Sequence, residues 1–527
     1  MTQKISTDRL FNLTALFYLA LIFSFLLANI VNLPLWQDEA ESALNAMTLN
    51  GHNMIPKAYE KPGFPMHECK LYFPQQGDPM YAYYPTAYYY SSYVTTHGWL
   101  PYYFIRAGIL LFGKNDLGAR FFSPVFFCLF LLIFYRIVCR YRGYLFGFFT
   151  LIGLSLMPSM LSYALQARYY AYSLFFVVWT LDRFMRYLEN PTARASVFLV
   201  LAEILLYYTN LQYFILLNAV FCVNLLIWNR SLLLRYLGGM VVCLLAALPH
   251  ILLTKFFLFA AKIPKRSDGL LAGWNYLQIA LNHNGFIVAA AILFIVLFMW
   301  RFIGHRVRKS EPAEQPPLDN VIFLSLVLGY PMICLTTPEM AFYERIFCAL
   351  VPFIFYGGMA AISMLTGFIR NKIYARVAWA ALCAGLLIFP FFYSYGENLK
   401  YFIQGEFAAV NIPYTDSRWV RPVLKHIKNT GVPNPLILTS FEHFACTYYS
   451  DFDVQLLWPV KKEFIDTTER NLFIVLEDYR MVNQLVKLYY PKDRAEFYRD
   501  AWNRNYYARL ARCKKTVVGD VTVYQSF

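Results

Sequence analysis

Charge is what this chain has least of. Asp, Glu, Lys and Arg supply only 15% of its 527 residues, against 58% hydrophobic residues and a mean hydropathy of +0.41. That balance excludes a soluble enzyme and belongs to a polytopic membrane protein. Acidic residues are the scarcer sign, 32 against 47 Lys and Arg, for a net charge of +15. Such an excess would suit nucleic acid if it formed one patch. Here the basic residues recur in short clusters between apolar runs, so nucleic acid is excluded as a partner. Of ten cysteines, Cys128, Cys139, Cys222, Cys243, Cys334, Cys348 and Cys383 lie in apolar runs, where they read as small packing residues. Only Cys69, Cys446 and Cys513 fall in hydrophilic stretches, and Cys446 and Cys513 could bridge. No CxxC or Cys/His spacing fits a metal; His67-Glu68-Cys69 stands without a second histidine pair and reads as ordinary loop. A tandem repeat and a small-residue cleavage site after the first apolar run are absent too, so that run reads as a retained span rather than a signal.

The apolar runs are plentiful. Leu10–Leu33 is long enough to cross a bilayer. After a long segment at 34–120 come Phe121–Ile137, Tyr144–Leu161, Tyr169–Met185, Ser196–Asn210, Tyr213–Trp228, Leu237–Phe259, Phe286–Phe302, Val321–Thr336, Ile346–Ile369 and Val377–Tyr395. The chain therefore predicts a polytopic α-helical membrane protein of about 11 transmembrane helices. Aromatics reach 19%, with 42 Tyr and 48 Phe crowding the segment ends as an interfacial belt would. Basic residues follow alternate spans: Arg136, Arg140 and Arg142; Arg183, Arg186 and Arg194; Arg230 and Arg235; Arg301, Arg306, Arg308 and Lys309; Arg370, Lys372 and Arg376. By the positive-inside rule these connections and the N-terminus are cytoplasmic, and the 34–120 segment and everything after Tyr395 lie outside. The localisation expected is a cell membrane, bacterial inner membrane by analogy.

Two divisions follow: a transmembrane module over 1–395, with 34–120 as a large extracytoplasmic first loop, and a small extracytoplasmic α/β domain over 396–527. In the tail, 435–440, 454–458, 472–476 and 516–524 read as strands, alternating with helical stretches near 419–429, 481–490 and 494–512. It has no glycine-rich phosphate fingerprint. Gly108–Asn115 has Walker spacing, but Asn115 replaces the Ser or Thr, the interior is apolar, and no strand precedes it.

The chemistry concentrates at Pro34-Leu35-Trp36-Gln37-Asp38-Glu39-Ala40-Glu41-Ser42, directly after the first span. Ala40, Ala43, Leu44 and Met47 fall on one face of a helix, with Asp38, Glu41, Ser42 and Asn45 on the other. Asp38 as N-cap with Glu41 three residues on resembles a capping box, which accounts for those carboxylates without chemistry. It leaves Glu39 unexplained beside a bilayer. A carboxylate in such a place can take a proton from a hydroxyl, and Asp38 is the candidate.

These residues carry a resemblance. Leu35-Trp36-Gln37-Asp38-Glu39 after one span resembles the Asp-Glu motif of GT-C glycosyltransferases, within them the protein O-mannosyltransferase and lipid A aminoarabinose transferase (ArnT-like, families 39 and 83) group. Leu100-Pro101-Tyr102-Tyr103, then Phe112-Gly113-Lys114-Asn115-Asp116-Leu117-Gly118-Ala119-Arg120-Phe121-Phe122-Ser123-Pro124, is similar to that group's tyrosine-rich stretch and the Arg-containing segment after it. Gln166-Ala167-Arg168-Tyr169-Tyr170-Ala171 resembles the start of its fourth span, and Tyr343-Glu344-Arg345-Ile346 with Pro352 the start of a late one. The ordered set covers roughly the first 360 residues. Gly98-Trp99-Leu100-Pro101 replaces the Lys-Pro-Pro of the aminoarabinose transferases, and the loop from Asp38 to Arg120 is longer, so sugar and acceptor do not carry over.

The resemblance implies transfer, with inversion, from a polyprenyl-phosphate-linked sugar to a hydroxyl of a protein, lipid or glycan acceptor outside the cytoplasm. Asp38 would be the base, Glu39 would orient it or the acceptor, and Arg168 and Arg345 would hold the donor phosphate. A lipid phosphate can be held by arginine alone, so no cofactor is required, though a divalent cation could assist. Interfacial snorkelling, or pairing of Arg345 with Glu344, accounts for the arginines equally simply. Lys57, Lys61, His97, Tyr102 and Asp116 are candidates for the cleft or the acceptor side. Solvated lysines, a satisfied loop histidine, and Asp116 and Arg120 pairing or capping are the plainer readings. Glu203, inside a span, supports the competing reading of a transporter or flippase of lipid-linked sugars, against a hydrogen-bonded structural role.

Overall fold

The computed structural model describes residues 7–31, 34–50, 52–57, 59, 98–254, 274, 277, 287–303, 317–336, 344–369, 371–393, 417–439, 442–456, 471–476, 512–519 and 521–526. The chain divides into two compact units. The first comprises Met1–Asn29, Thr96–Pro101 and Phe122–Phe407; the second comprises Ile30–Thr95, Tyr102–Phe121 and Ala408–Phe527. Lys61, His97 and Cys69, and the expected tail helices at 481–490 and 494–512, lie outside the described residues.

A helix occupies each expected apolar segment. In chain order they are α1 (Thr7–Asn29), then, after three helices of the 34–120 segment, α5 (Phe122–Arg142), α6 (Tyr144–Leu156), α7 (Pro158–Ala164), α8 (Tyr170–Glu189), α9 (Ala193–Thr209), α10 (Leu211–Trp228), α11 (Arg230–Leu253), α12 (Ile287–Ile303), α13 (Pro317–Thr336), α14 (Val351–Thr366) and α15 (Lys372–Tyr393). Among the described residues, six helical segments are long and apolar enough to cross a membrane: Asp8–Asn29, Asp116–Arg142, Leu211–Trp228, Arg230–Leu253, Pro317–Leu335 and Ile346–Thr366. The segment expected at 144–161 is two helices. Met157 takes an extended backbone (φ −67°, ψ 124°) ahead of Pro158, which cannot continue the ladder but readily starts a new helix. Between α5 and α6, Gly143 at φ +88° makes the reversal that an L side chain would resist. Thr192 and Asn210 cap α9 and α10 by accepting the Ala195 and Tyr213 N–H groups. The core of this unit is aromatic: Phe184 of α8 stacks on Phe221 of α10 at 3.8 Å, and Phe126 of α5 meets Tyr172 of α8 edge-on at 5.0 Å.

The second unit carries α2 (Gln37–Met47), most of α3 (Leu100–Phe112) and α4 (Asp116–Arg120) with the tail. The apolar helix α3 is an addition to the sequence reading; at 13 residues its run is too short to register as a span. The tail has α16 (Val420–Asn429), β1 (Leu436–Thr439), α17 (His443–Tyr449), β2 (Asp453–Leu456), β3 (Leu472–Leu476), β4 (Lys514–Val518) and β5 (Val521–Gln525). Its sheet has the order β2-β1-β3-β5-β4. β1 pairs in parallel with β2 (Leu436 opposite Asp453) and β3 (Leu436 opposite Leu472), and β5 runs antiparallel to β3 and β4. β1 is buried along its whole length, as an unbroken apolar run in a parallel sheet must be. The strand expected at 516–524 is a hairpin, turned at Gly519 (φ +61°). In α16, Val420, Val423, Leu424 and Ile427 are buried at helical spacing. Cys446 and Cys513 are not bridged.

Candidate active site

The helix carrying Asp38 begins two residues earlier than a cap at Asp38 would allow. Trp36 is its extended N-cap (φ −83°, ψ 173°), and the Ala40 N–H closes the first turn on the Trp36 carbonyl at 2.9 Å. The Trp36 N–H donates to the Glu39 Oε2 at 3.3 Å. Glu39, not Glu41, is thus the reaching-back carboxylate, and the capping box expected at Asp38 and Glu41 is corrected by two positions. Asp38 is a half-buried residue of the first turn, at the N-terminal end of the helix; its carbonyl accepts the Ser42 hydroxyl at 2.9 Å. Leu35, Ala40, Ala43 and Leu44 are buried, and so are Ser42 and Asn45, so the face expected to be wet is partly enclosed. The Asn45 Oδ1 accepts the Tyr59 N–H at 2.9 Å.

Glu39 is 0% exposed and pairs with Arg120. Arg120, at the end of α4, donates Nε to Glu39 Oε1 at 2.7 Å and Nη2 to Oε2. Its Nη1 donates to the Ile30 carbonyl at 3.0 Å and Nη2 to that of Pro34 at 3.1 Å. The guanidinium fork therefore satisfies the buried carboxylate and pins the chain leading into α2. α4 can deliver Arg120 because it is only five residues long and tightly held. Asn115 caps it by accepting the Gly118 N–H at 2.8 Å, and a Cβ on Gly118 would lie 2.1 Å from the Gly113 carbonyl oxygen.

Asp116 and Arg120 do not pair with each other in the manner the sequence suggests. Asp116, 3% exposed, forms an ion pair with Arg421 of α16 and accepts the Tyr449 hydroxyl of α17. The same hydroxyl accepts the Leu35 N–H at 2.5 Å, and the Tyr448 hydroxyl donates to the Asn115 carbonyl at 3.1 Å. The Arg421 guanidinium lies 4.8 Å from the centre of the Tyr449 ring. Burial, with the Asp116 charge beside it, pushes the Tyr449 phenol well up, so it stays a donor. The partners of Arg120, Arg421 and Tyr449 escape sequence reasoning because they are 81, 305 and 333 positions away. No local signal marks such pairs.

Of the other candidates in this unit, Tyr102 is buried, and Lys57 is half-buried with its backbone N–H on the Thr48 hydroxyl at 2.9 Å. Arg168 belongs to the first unit, in the bend between α7 and α8, 5% exposed and 5.6 Å over the Tyr169 ring. Gln166 beside it donates to the Ser162 hydroxyl at 2.9 Å, and its carbonyl accepts from Ser123 at 2.6 Å. Arg345 lies on a 3-10 stretch, Glu344–Leu350, that leads into α14. Glu203 in α9 has the hydrogen-bonded surroundings of a structural residue: Tyr236 meets its Oε1 at 2.8 Å and Cys243 its Oε2 at 3.4 Å. Among the described residues no group of three or more His, Cys, Asp or Glu could hold a metal.

No protein-family model and no curated sequence matches the chain. Solved structures do. ArnT from Cupriavidus metallidurans bound to undecaprenyl phosphate superposes with a TM-score of 0.53 at 11% identity, over 97% of both chains. Its apo state gives 0.56 at 12% identity over the same shares. The Archaeoglobus fulgidus oligosaccharyltransferase, tethered with an acceptor peptide containing the NVT sequon, gives 0.50 at 13% identity, over 86% of this chain and 71% of that one. At such identities the likeness is one of fold: the chain shares the fold of ArnT and of the archaeal oligosaccharyltransferase.

Proposed function

We propose that this protein is an integral membrane glycosyltransferase that moves a sugar from a polyprenyl-phosphate-linked donor to an acceptor hydroxyl on the extracytoplasmic side, with inversion. The observation that carries the reading is the end-to-end likeness to a structure that holds undecaprenyl phosphate, joined to the placement of Asp38 in the first turn of α2. Asp38 accepts the proton of the acceptor hydroxyl as its oxygen attacks the anomeric carbon. The bond from that carbon to the phosphate oxygen breaks, and the electron pair leaves on the polyprenyl phosphate. Inversion follows from attack on the face opposite the leaving group. Glu39 takes part through the placement of Asp38, since its own oxygens are turned to Arg120 and the Trp36 N–H. Arg168 and Arg345 stabilise the departing phosphate; no cofactor is required for this, though a divalent cation could assist. The acceptor is a glycan, lipid or protein, with Lys57, Lys61, His97 and Tyr102 as candidates for its recognition; Asp116 is committed to Arg421 and Tyr449 instead. About eleven crossings put the N-terminus in the cytoplasm and the tail outside.

The test is release of undecaprenyl phosphate from undecaprenyl-phosphate-linked sugars by the purified full-length protein in lipid, with glycan, lipid and protein fractions of the cell envelope supplied as acceptors. Asp38→Asn should lower it about 100- to 10,000-fold while the protein's yield and thermal transition stay unchanged. Release at the native rate by that variant would end the assignment.

A further inference from the structure

The hydroxyl of Tyr449 stands between an acidic residue of the 34–120 segment and the backbone just ahead of α2. It has one proton to give and Asp116 takes it; its oxygen in turn accepts the Leu35 N–H. Leu35 and Trp36 are consecutive donors outside the helix, and each is satisfied by a side chain rather than by water. The Trp36 N–H goes to Glu39, which Arg120 holds, and the Leu35 N–H goes to Tyr449, which Asp116 and Arg421 hold. On the acceptor side of the same segment, the carbonyls of Ile30 and Pro34 are taken by Arg120. Leu35 is 0% exposed, so a lost hydrogen bond there is not replaced by solvent. We infer that Tyr449, on a helix of the tail, is a positioning residue that sets where α2, and with it Asp38, begins.

The placement is a matter of geometry, and its link to turnover rests on the reading of Asp38 as the base. Tyr449→Phe keeps the ring under Arg421 and deletes only the hydroxyl. In the full-length protein in lipid, hydrogen exchange over 34–47 should speed up about tenfold, with exchange over 436–439 and the thermal transition unchanged. Arg421→Gln leaves both hydroxyl bonds and removes the cation that holds Asp116, so the same amides should shift by a smaller factor. Release of undecaprenyl phosphate should fall in Tyr449→Phe through kcat, with the apparent KM for the lipid-linked sugar held. Unchanged exchange over 34–47 overturns the inference, as does an increase spread evenly over the tail strands. If exchange rises locally but the native protein releases no undecaprenyl phosphate, the positioning stands and the proposed reaction is what falls.

Discussion

Arg120 makes four hydrogen bonds with one side chain, two to a buried carboxylate and two to backbone carbonyls. Two opposite charges buried together gain little over an apolar pair, but removing one strands the other at a cost of about 3–5 kcal/mol. Arg120→Met should therefore destabilise the protein by about that much, read as a lowered thermal transition in lipid, and Glu39→Gln by less because an amide still accepts from the fork. Arg120→Lys should fail to restore stability, since a single ammonium cannot serve Glu39, Ile30 and Pro34 together. Asp38, by contrast, is a half-buried position. In the proposed reaction that contrast would give Glu39 the task of building the site and Asp38 that of acting in it.

At the scale of elements, α4 shows how little chain is needed to fix a site. Five residues place Asp116 toward the tail helices and Arg120 toward the start of α2. The turn from α3 to α4 works because Gly118 sits against the Gly113 carbonyl with no room for a side chain. Gly118→Ala should push α4 off that carbonyl and cost about 1–3 kcal/mol. Its measurable sign would be a lowered thermal transition together with faster exchange over 34–47, because Arg120 moves with α4.

At the scale of the molecule, the tail is not an appendage. The second unit assembles residues 408–527 with 30–95 and 102–121, and α17 packs against α2 within it. Excised residues 396–527 should therefore expose the apolar side of α17 and aggregate or lose cooperative unfolding, and a chain stopped at 395 should release no undecaprenyl phosphate. The topology has its own check. Single cysteines placed at 52 and 526 in a cysteine-free protein should react from outside with a membrane-impermeant maleimide, while one at Arg194 should not. Labelling in the reverse pattern would place Asp38 in the cytoplasm.

The apolar runs were enough to locate a helix at each expected segment, though not α3 or the break at Met157, because a segment that must satisfy its backbone in lipid can only be helical. The alternation of buried apolar strands with α16 was legible in the tail for a similar reason, since periodicity is a property of neighbouring residues. The Asp-Glu pair could also be singled out, but not the different duties of its members. Which carboxylate faces Arg120, which residue caps α2, and the reach of Tyr449 to Leu35 depend on partners brought together across the chain. Those distances through sequence leave no local pattern, so tertiary structure alone decided them: burial made each polar group find a partner, and the fold determined which partner was near.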